Sequence, residues 1–148
     1  MFEGTSLQWG DLLGARSTVV GYECDGCAFT LADGRPVPTG EDGCPDGFEI
    51  LATSPASSFD RRTATRPVPP GVLSEVEFHA ERVFGDSSPA STGRLQYGHA
   101  VLGTWTTPAG GTVFTTGCTD WVHGLGVGDR DVETVTHNLM RRLWSRSA

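Results

Sequence analysis

Gly111-Thr112-Val113-Phe114-Thr115-Thr116-Gly117-Cys118-Thr119-Asp120-Trp121-Val122-His123-Gly124-Leu125 is the stretch whose reading decides the fold. Its β-branched start reads as a short strand, Gly117 stops it, and the small and polar residues that follow begin a helical turn. Thr119 or Asp120 is expected to cap that turn through a side-chain oxygen, with Trp121 turned into the core. Strand ends of this kind are where open α/β sheets place their ligands.

Working outward, Tyr97 to Thr107 and Thr112 to Thr116 are β-rich runs joined by Pro108-Ala109-Gly110-Gly111, which predicts an antiparallel hairpin. Downstream, Val132, Val135, Leu139 and Leu143 form a stripe at helical spacing over 129–145. Asp129 and Asp131 stand at its N-terminal end, and Arg141, Arg142 and Arg146 at its C-terminal end, so both sets complement the helix dipole. Upstream, Val72, Val76, Ala80 and Val83 with a terminal Gly85 favour a helix, although Val76, Phe78 and Ala80 also alternate as in a strand. The serine-rich tract from Asp86 to Gly93 reads as a mobile turn. Ser17 to Cys24 and Phe48 to Thr53 read as two further strands, the second of them buried. Between them, Phe29 to Gly47 is dominated by turn formers and reads as a long loop, and Ser54 to Gly71 as a second irregular connection. Residues 1–17 have no clean period and read as a docking arm or an irregular edge. The expected fold is α/β in a single domain over 1–148, a mixed sheet with an antiparallel hairpin and packed helices.

Composition narrows the function classes. The chain has 148 residues, enough for one sizeable core. All 11 basic residues are arginine, which removes Schiff-base chemistry and a P-loop lysine. A formal charge of −7 argues against nucleic acid and anionic membranes as partners. No basic leader with an apolar core, and no run of membrane-spanning length, stands in the sequence, so a soluble cytoplasmic protein is expected. In that setting the four cysteines, at 24, 27, 44 and 118, are free thiols or metal ligands before they are a disulfide framework.

Two clusters carry candidate chemistry. Cys118 with Asp120 and His123, or with His137 as the base, has the residue types of an activated thiol nucleophile; the alternative is a small residue packed at a tight turn. Cys24-x-x-Cys27 with Cys44 makes three-quarters of a zinc site that His79 can complete, against a disulfide (Cys24–Cys27 or Cys27–Cys44) or free thiols. Glu23 and Asp25, two apart on a strand, share a face as paired carboxylates, although Asp25-Gly26 is also an ordinary turn.

Gly21-Tyr22-Glu23-x-Asp25, Leu51-Ala52-Thr53-Ser54-Pro55-Ala56, Gly110 to Trp121, and Val135-Thr136-x-Asn138-Leu139-x-x-Arg142-Leu143, taken in this order, resemble the C-terminal part of the N,N-dimethylformamidase large (beta) subunit family, from about residue 17 onward. The resemblance implies a partial α/β domain of glutamine-amidotransferase-like type over 18–145, within an amide (C–N) hydrolase whose iron is held by tyrosine and glutamate. Those ligands lie upstream of the matched part, so none is carried over to this chain. Tyr22 and Glu23 are adjacent on a strand and point to opposite faces, which disfavours a shared ion. The resemblance implies an accessory or partial domain, with no cofactor required by this chain, that assembles with a catalytic partner subunit or as a homo-oligomer. The alternatives are a small autonomous cysteine hydrolase acting on a small amide, and a metal-stabilised binding module.

Overall fold

A computed structural model describes residues 1–14, 19, 25–56, 58–64, 66–95 and 98–145. Its elements run β1 (Phe29–Ala32), β2 (Arg35–Pro38), β3 (Glu49–Ala56), α1 (Glu75–Phe84), α2 (Pro89–Leu95), β4 (Gly98–Thr106), β5 (Thr112–Thr115), α3 (Trp121–Gly126) and α4 (Arg130–Ser145). The result is a mixed α/β fold, as expected. The strand expected at Ser17 to Cys24 lies outside the described residues, Val19 excepted. The chain forms two compact units, Met1–Thr53 with Ala100–Ala148, and Ser54–His99.

In the first unit the sheet has the order β3-β4-β5. The expected hairpin is present: β4 and β5 pair antiparallel with Gly103 opposite Thr115 and Thr106 opposite Thr112. The loop closes through Thr107, whose N–H donates to the Gly111 carbonyl at 2.7 Å while its hydroxyl accepts from the Gly111 N–H at 3.0 Å. As the middle strand, β4 is buried continuously from Ala100 to Thr104. By contrast β3, expected to be buried, stands at one side of the three described strands, and Ile50 alone of its residues is fully buried.

The final helix follows its stripe. Val132 and Val135 are wholly buried and Leu139 nearly so, and they join Val19, Leu102 and Trp121 in one core, because residues three and four apart share a helix face. Leu143, the last of the stripe, is 37% exposed. Asp129 caps the helix by accepting from the N–H groups of Asp131 and Val132 at 3.1 and 3.3 Å. Gly124 brings α3 close to α4: a Cβ there would lie 2.9 Å from Val132 Cγ1.

The first residues dock onto α4. Asn138 Nδ2 donates to the carbonyls of Met1 and Glu3 at 2.7 Å each, and the Ser6 N–H and hydroxyl both donate to the Asp131 carboxylate at 3.0 Å. Met1, Phe2 and Leu13 pack against the core.

The long loop expected over 29–47 contains a hairpin instead. β1 and β2 pair antiparallel from Phe29 opposite Pro38 to Ala32 opposite Arg35, turning at Asp33 (φ 51) and Gly34 (φ 76). Asp-Gly is a favoured two-residue hairpin turn, and a two-stranded ribbon has free edges where Pro36 and Pro38 are tolerated.

In the second unit, the helix favoured over Val72 to Gly85 forms as α1 from Glu75: Val76 and Ala80 of the expected stripe are buried, whereas Val72 lies ahead of the helix and Val83 is exposed. Ser74 begins it, its N–H and hydroxyl donating to Glu77 Oε2 at 2.7 and 2.9 Å, and Gly85 ends it at φ 81. The tract from Asp86 to Gly93, expected to be a turn, is largely helical as α2. Asp86 accepts from the Ser88 N–H at 2.8 Å and from the Ser91 hydroxyl at 2.8 and 2.9 Å, and Pro89 takes the first helical position, where its missing N–H costs nothing.

Candidate functional site

The strand-end cluster is built by Gly117. Its φ of 71 carries the chain out of β5, and a Cβ there would stand 2.7 Å from the Val101 carbonyl carbon and 2.8 Å from its nitrogen, so only glycine lets the turn lie against β4. Cys118 follows, half-buried, and its thiol donates to the Val19 carbonyl. Asp120 and His123 meet at 3.8 Å between Oδ2 and Nδ1, with the His123 side chain 64% exposed. His137 is exposed on α4. Among the described residues, no hydrogen bond joins Cys118 to a histidine.

The expected side-chain cap on α3 is not formed. Asp120 has a near-helical backbone (φ −83, ψ 1), and its carboxylate meets the Thr119 hydroxyl at 3.4 Å and His123 rather than a helix N–H. Trp121 is buried as expected, its indole N–H donating to Thr136 Oγ1 at 3.0 Å.

A second cluster lies around a cavity of about 260 Å³ lined by Asp25, Cys27, Asp42, Cys44, Phe48 and Val101, among others. One wall is tied to the sheet: the Asp25 N–H donates to the Gly117 carbonyl at 2.8 Å, and the Val101 N–H donates to the Asp25 carbonyl at 2.9 Å. The other is held by Trp105, whose indole N–H donates to the Asp46 carbonyl at 3.1 Å, and by the Phe48 ring, which lies where a Cβ on Gly103 would be. Asp42 joins the two walls. Its Oδ2 accepts from the Ala28 N–H at 2.5 Å, and its Oδ1 accepts from the Cys44 N–H at 3.4 Å.

The thiols of Cys27 and Cys44 meet in this cavity, and both are free. Burial, the hydrogen bond with Cys44, and negative charge at Cys44 and Asp42 push the Cys27 thiol from 9.0 up to about 11, so Cys27 keeps its proton at neutral pH. Of the four residues read as zinc ligands, the structure thus brings Cys27 and Cys44 together. Cys24 lies outside the described residues, and His79 belongs to the second unit, where its Nδ1 is 3.0 Å from Ser58 Oγ. Among the described residues no group of three or more His, Cys, Asp or Glu side chains is placed to hold a metal ion.

Glu23 and both tyrosines, Tyr22 and Tyr97, lie outside the described residues. In the sequence Asp42 reads as a turn residue; the Asp42-Gly43-Cys44 spacing, which lets an aspartate bond its own loop two residues on, is the signal of its further role. Among the described residues, no helix is long and apolar enough to cross a membrane.

No curated protein and no solved structure matches the chain. A family match covers residues 1–136, beginning ahead of the motifs quoted above and ending within α4. It takes in the docked first residues, the dithiol cavity and the Gly117 turn. By that match, the chain belongs to the family described as N,N-dimethylformamidase beta subunit-like, C-terminal.

Proposed function

We propose that this chain is an accessory domain of a dimethylformamidase-like amide hydrolase, with a structural or assembly role and no complete active site of its own. On this reading the fold is a partial glutamine-amidotransferase-like domain, and the working enzyme is cytoplasmic. Membership of a beta subunit-like C-terminal family supports it. The observation that carries it is at Cys118: the thiol is committed to the Val19 carbonyl, and the histidine beside it points to solvent with Asp120. A thiol nucleophile needs a base within hydrogen-bond reach, and a backbone carbonyl accepts a proton bond without removing the proton.

An assembly role also fits the outer face of α4, where Met140 and Trp144, four residues apart, are 58% and 81% exposed. A partner that covers them gains the apolar burial that solvent denies. The partner on this reading is a catalytic subunit or a second copy of this chain.

The test is direct. Purified chain given iron and N,N-dimethylformamide should release no dimethylamine, and turnover by the chain alone would sink the reading. Co-expression with the adjacent reading frame should give a stoichiometric complex that Met140→Glu with Trp144→Glu dissociates.

A further inference from the structure

The cavity between residues 25–28 and 42–48 holds two cysteines that the amide-hydrolase reading does not use. Three observations bear on them. Their thiols touch and line one cavity. The backbones that carry them are joined by a single carboxylate, Asp42, which accepts from the N–H of Ala28, next to Cys27, and from the N–H of Cys44 itself. Both walls are anchored on β4, through Val101 and Asp25 on one side and Trp105 and Asp46 on the other. Two thiols already in contact, on segments held at a set separation, need little backbone movement to be bridged.

We infer that Cys27 and Cys44 are a reversible modification site: a soluble aliphatic disulfide of the glutathione class converts them into a disulfide across the base of the β1–β2 hairpin. The exchange balances as two displacements. One of the two, written here as Cys44, gives up its proton to water and attacks one sulfur of the small disulfide, forming a mixed disulfide and releasing one small thiolate. Cys27 then gives its proton to that thiolate and attacks Cys44 Sγ, releasing the second small thiolate, which takes a proton from water or, overall, the proton that Cys44 gave up. The protein loses two electrons and two protons, and the small disulfide becomes two thiols.

Burial holds the proton on Cys27, which suits it to the second displacement. Asp42 is a positioning residue, which sets the two segments and touches neither reacting bond. Closure would pin both ends of the β1–β2 hairpin, whose strands run from Phe29 to Pro38 inside the loop.

The sequence supplies a clean assay. Arg35 precedes Pro36, so trypsin leaves Cys27 and Cys44 on one peptide. Cleavage before Asp11, Asp25, Asp33, Asp42 and Asp46 puts Cys24, Cys27 and Cys44 on three separate fragments. The full chain, stripped of metal with a chelator, is equilibrated with oxidised and reduced glutathione at ratios from 1:100 to 100:1, alkylated, denatured, cleaved and weighed. The expected product is fragment 25–32 linked to fragment 42–45, undone by dithiothreitol and formed equally by Cys24→Ser. Asp42→Ala should close at least several-fold more slowly while Cys118 reacts at an unchanged rate, which reports an intact fold. A dominant Cys24–Cys27 link, or free Cys27 and Cys44 at every ratio, overturns the inference. Unchanged closure in Asp42→Ala overturns the role given to that carboxylate.

Discussion

Replacing Gly117 by alanine should destabilise the first unit far more than the same change at an equally left-handed glycine in open space. Two costs combine at Gly117. At φ 71 an L residue pays the left-handed penalty, about 1–2 kcal/mol. The new Cβ would also lie 2.7 and 2.8 Å from the Val101 carbonyl carbon and nitrogen, where ordinary contact needs about 3.5 Å or more. Val101 is 2% exposed and hydrogen-bonded through its N–H to Asp25, so its backbone cannot yield without breaking that bond. Overpacking of this kind costs about 1–3 kcal/mol, which brings the total to about 2–5 kcal/mol. Against a whole-domain stability of about 5–15 kcal/mol, that is a large fraction. Gly110, at φ 86 with nothing within 4 Å of its would-be Cβ, supplies the control and should lose the conformational part alone, about 1–2 kcal/mol. Urea unfolding followed by tryptophan fluorescence reads both variants, since Trp121 is buried while Trp9 and Trp144 are exposed. Equal midpoints for Gly117→Ala and Gly110→Ala, at equal slopes, would refute the close approach of Gly117 to β4.

Trp121→Phe removes the indole donor to Thr136 while the Thr136 hydroxyl keeps its own bond to the Val132 carbonyl at 2.7 Å; the loss should be about 1–3 kcal/mol by urea unfolding, bond and packing together. In the second unit, the backbone N–H of Ser74, the Arg61 guanidinium and the Ser74 hydroxyl hold the Glu77 carboxyl down at about 2, from 4.5. A depressed carboxylate stabilises the fold above its unfolded pKa and loses that contribution as pH falls through its folded one. Hydrogen exchange at the α1 amides should therefore be level above about pH 5 and speed up, relative to its intrinsic rate, between 4.5 and about 2, with Glu77→Gln flattening the profile.

The parts of the fold that sequence reading recovers are those set by local chemistry. The α4 stripe, the Pro108 to Gly111 turn and the Gly85 stop each depend on residues within a turn or two of one another. What it misses follows two patterns. The β1–β2 ribbon was masked by Pro36 and Pro38, because a strand rule tuned to buried sheets rejects prolines that a ribbon edge accepts. In α2 the start signals Asp86, Ser88 and Pro89 are present, but the serine density around them suits a turn as well as a helix N-terminus. The sites were harder. The spacing of Cys27 and Cys44 does not specify that they meet, since their meeting depends on the Asp42 carboxylate and on anchors at Val101 and Trp105 from far along the chain. Asn138 was visible within a motif, yet nothing local shows that its amide binds Met1 and Glu3.

The division of the chain also dictates an order of synthesis and folding. The second unit is one uninterrupted segment, Ser54–His99, whereas the first is completed by residues on both sides of it. As the chain leaves the ribosome, Met1, Phe2 and Val19 emerge ahead of that segment, and their partners Val132, Val135 and Leu139 only after it. The helical segment can close on itself while the opening residues still wait with apolar side chains in water. Contacts of such long sequence separation carry a high loop-closure cost and form slowly. The nascent first half is thus the stage most exposed to aggregation, and expression yield should respond more to chaperone supply during translation than to the stability of the finished fold.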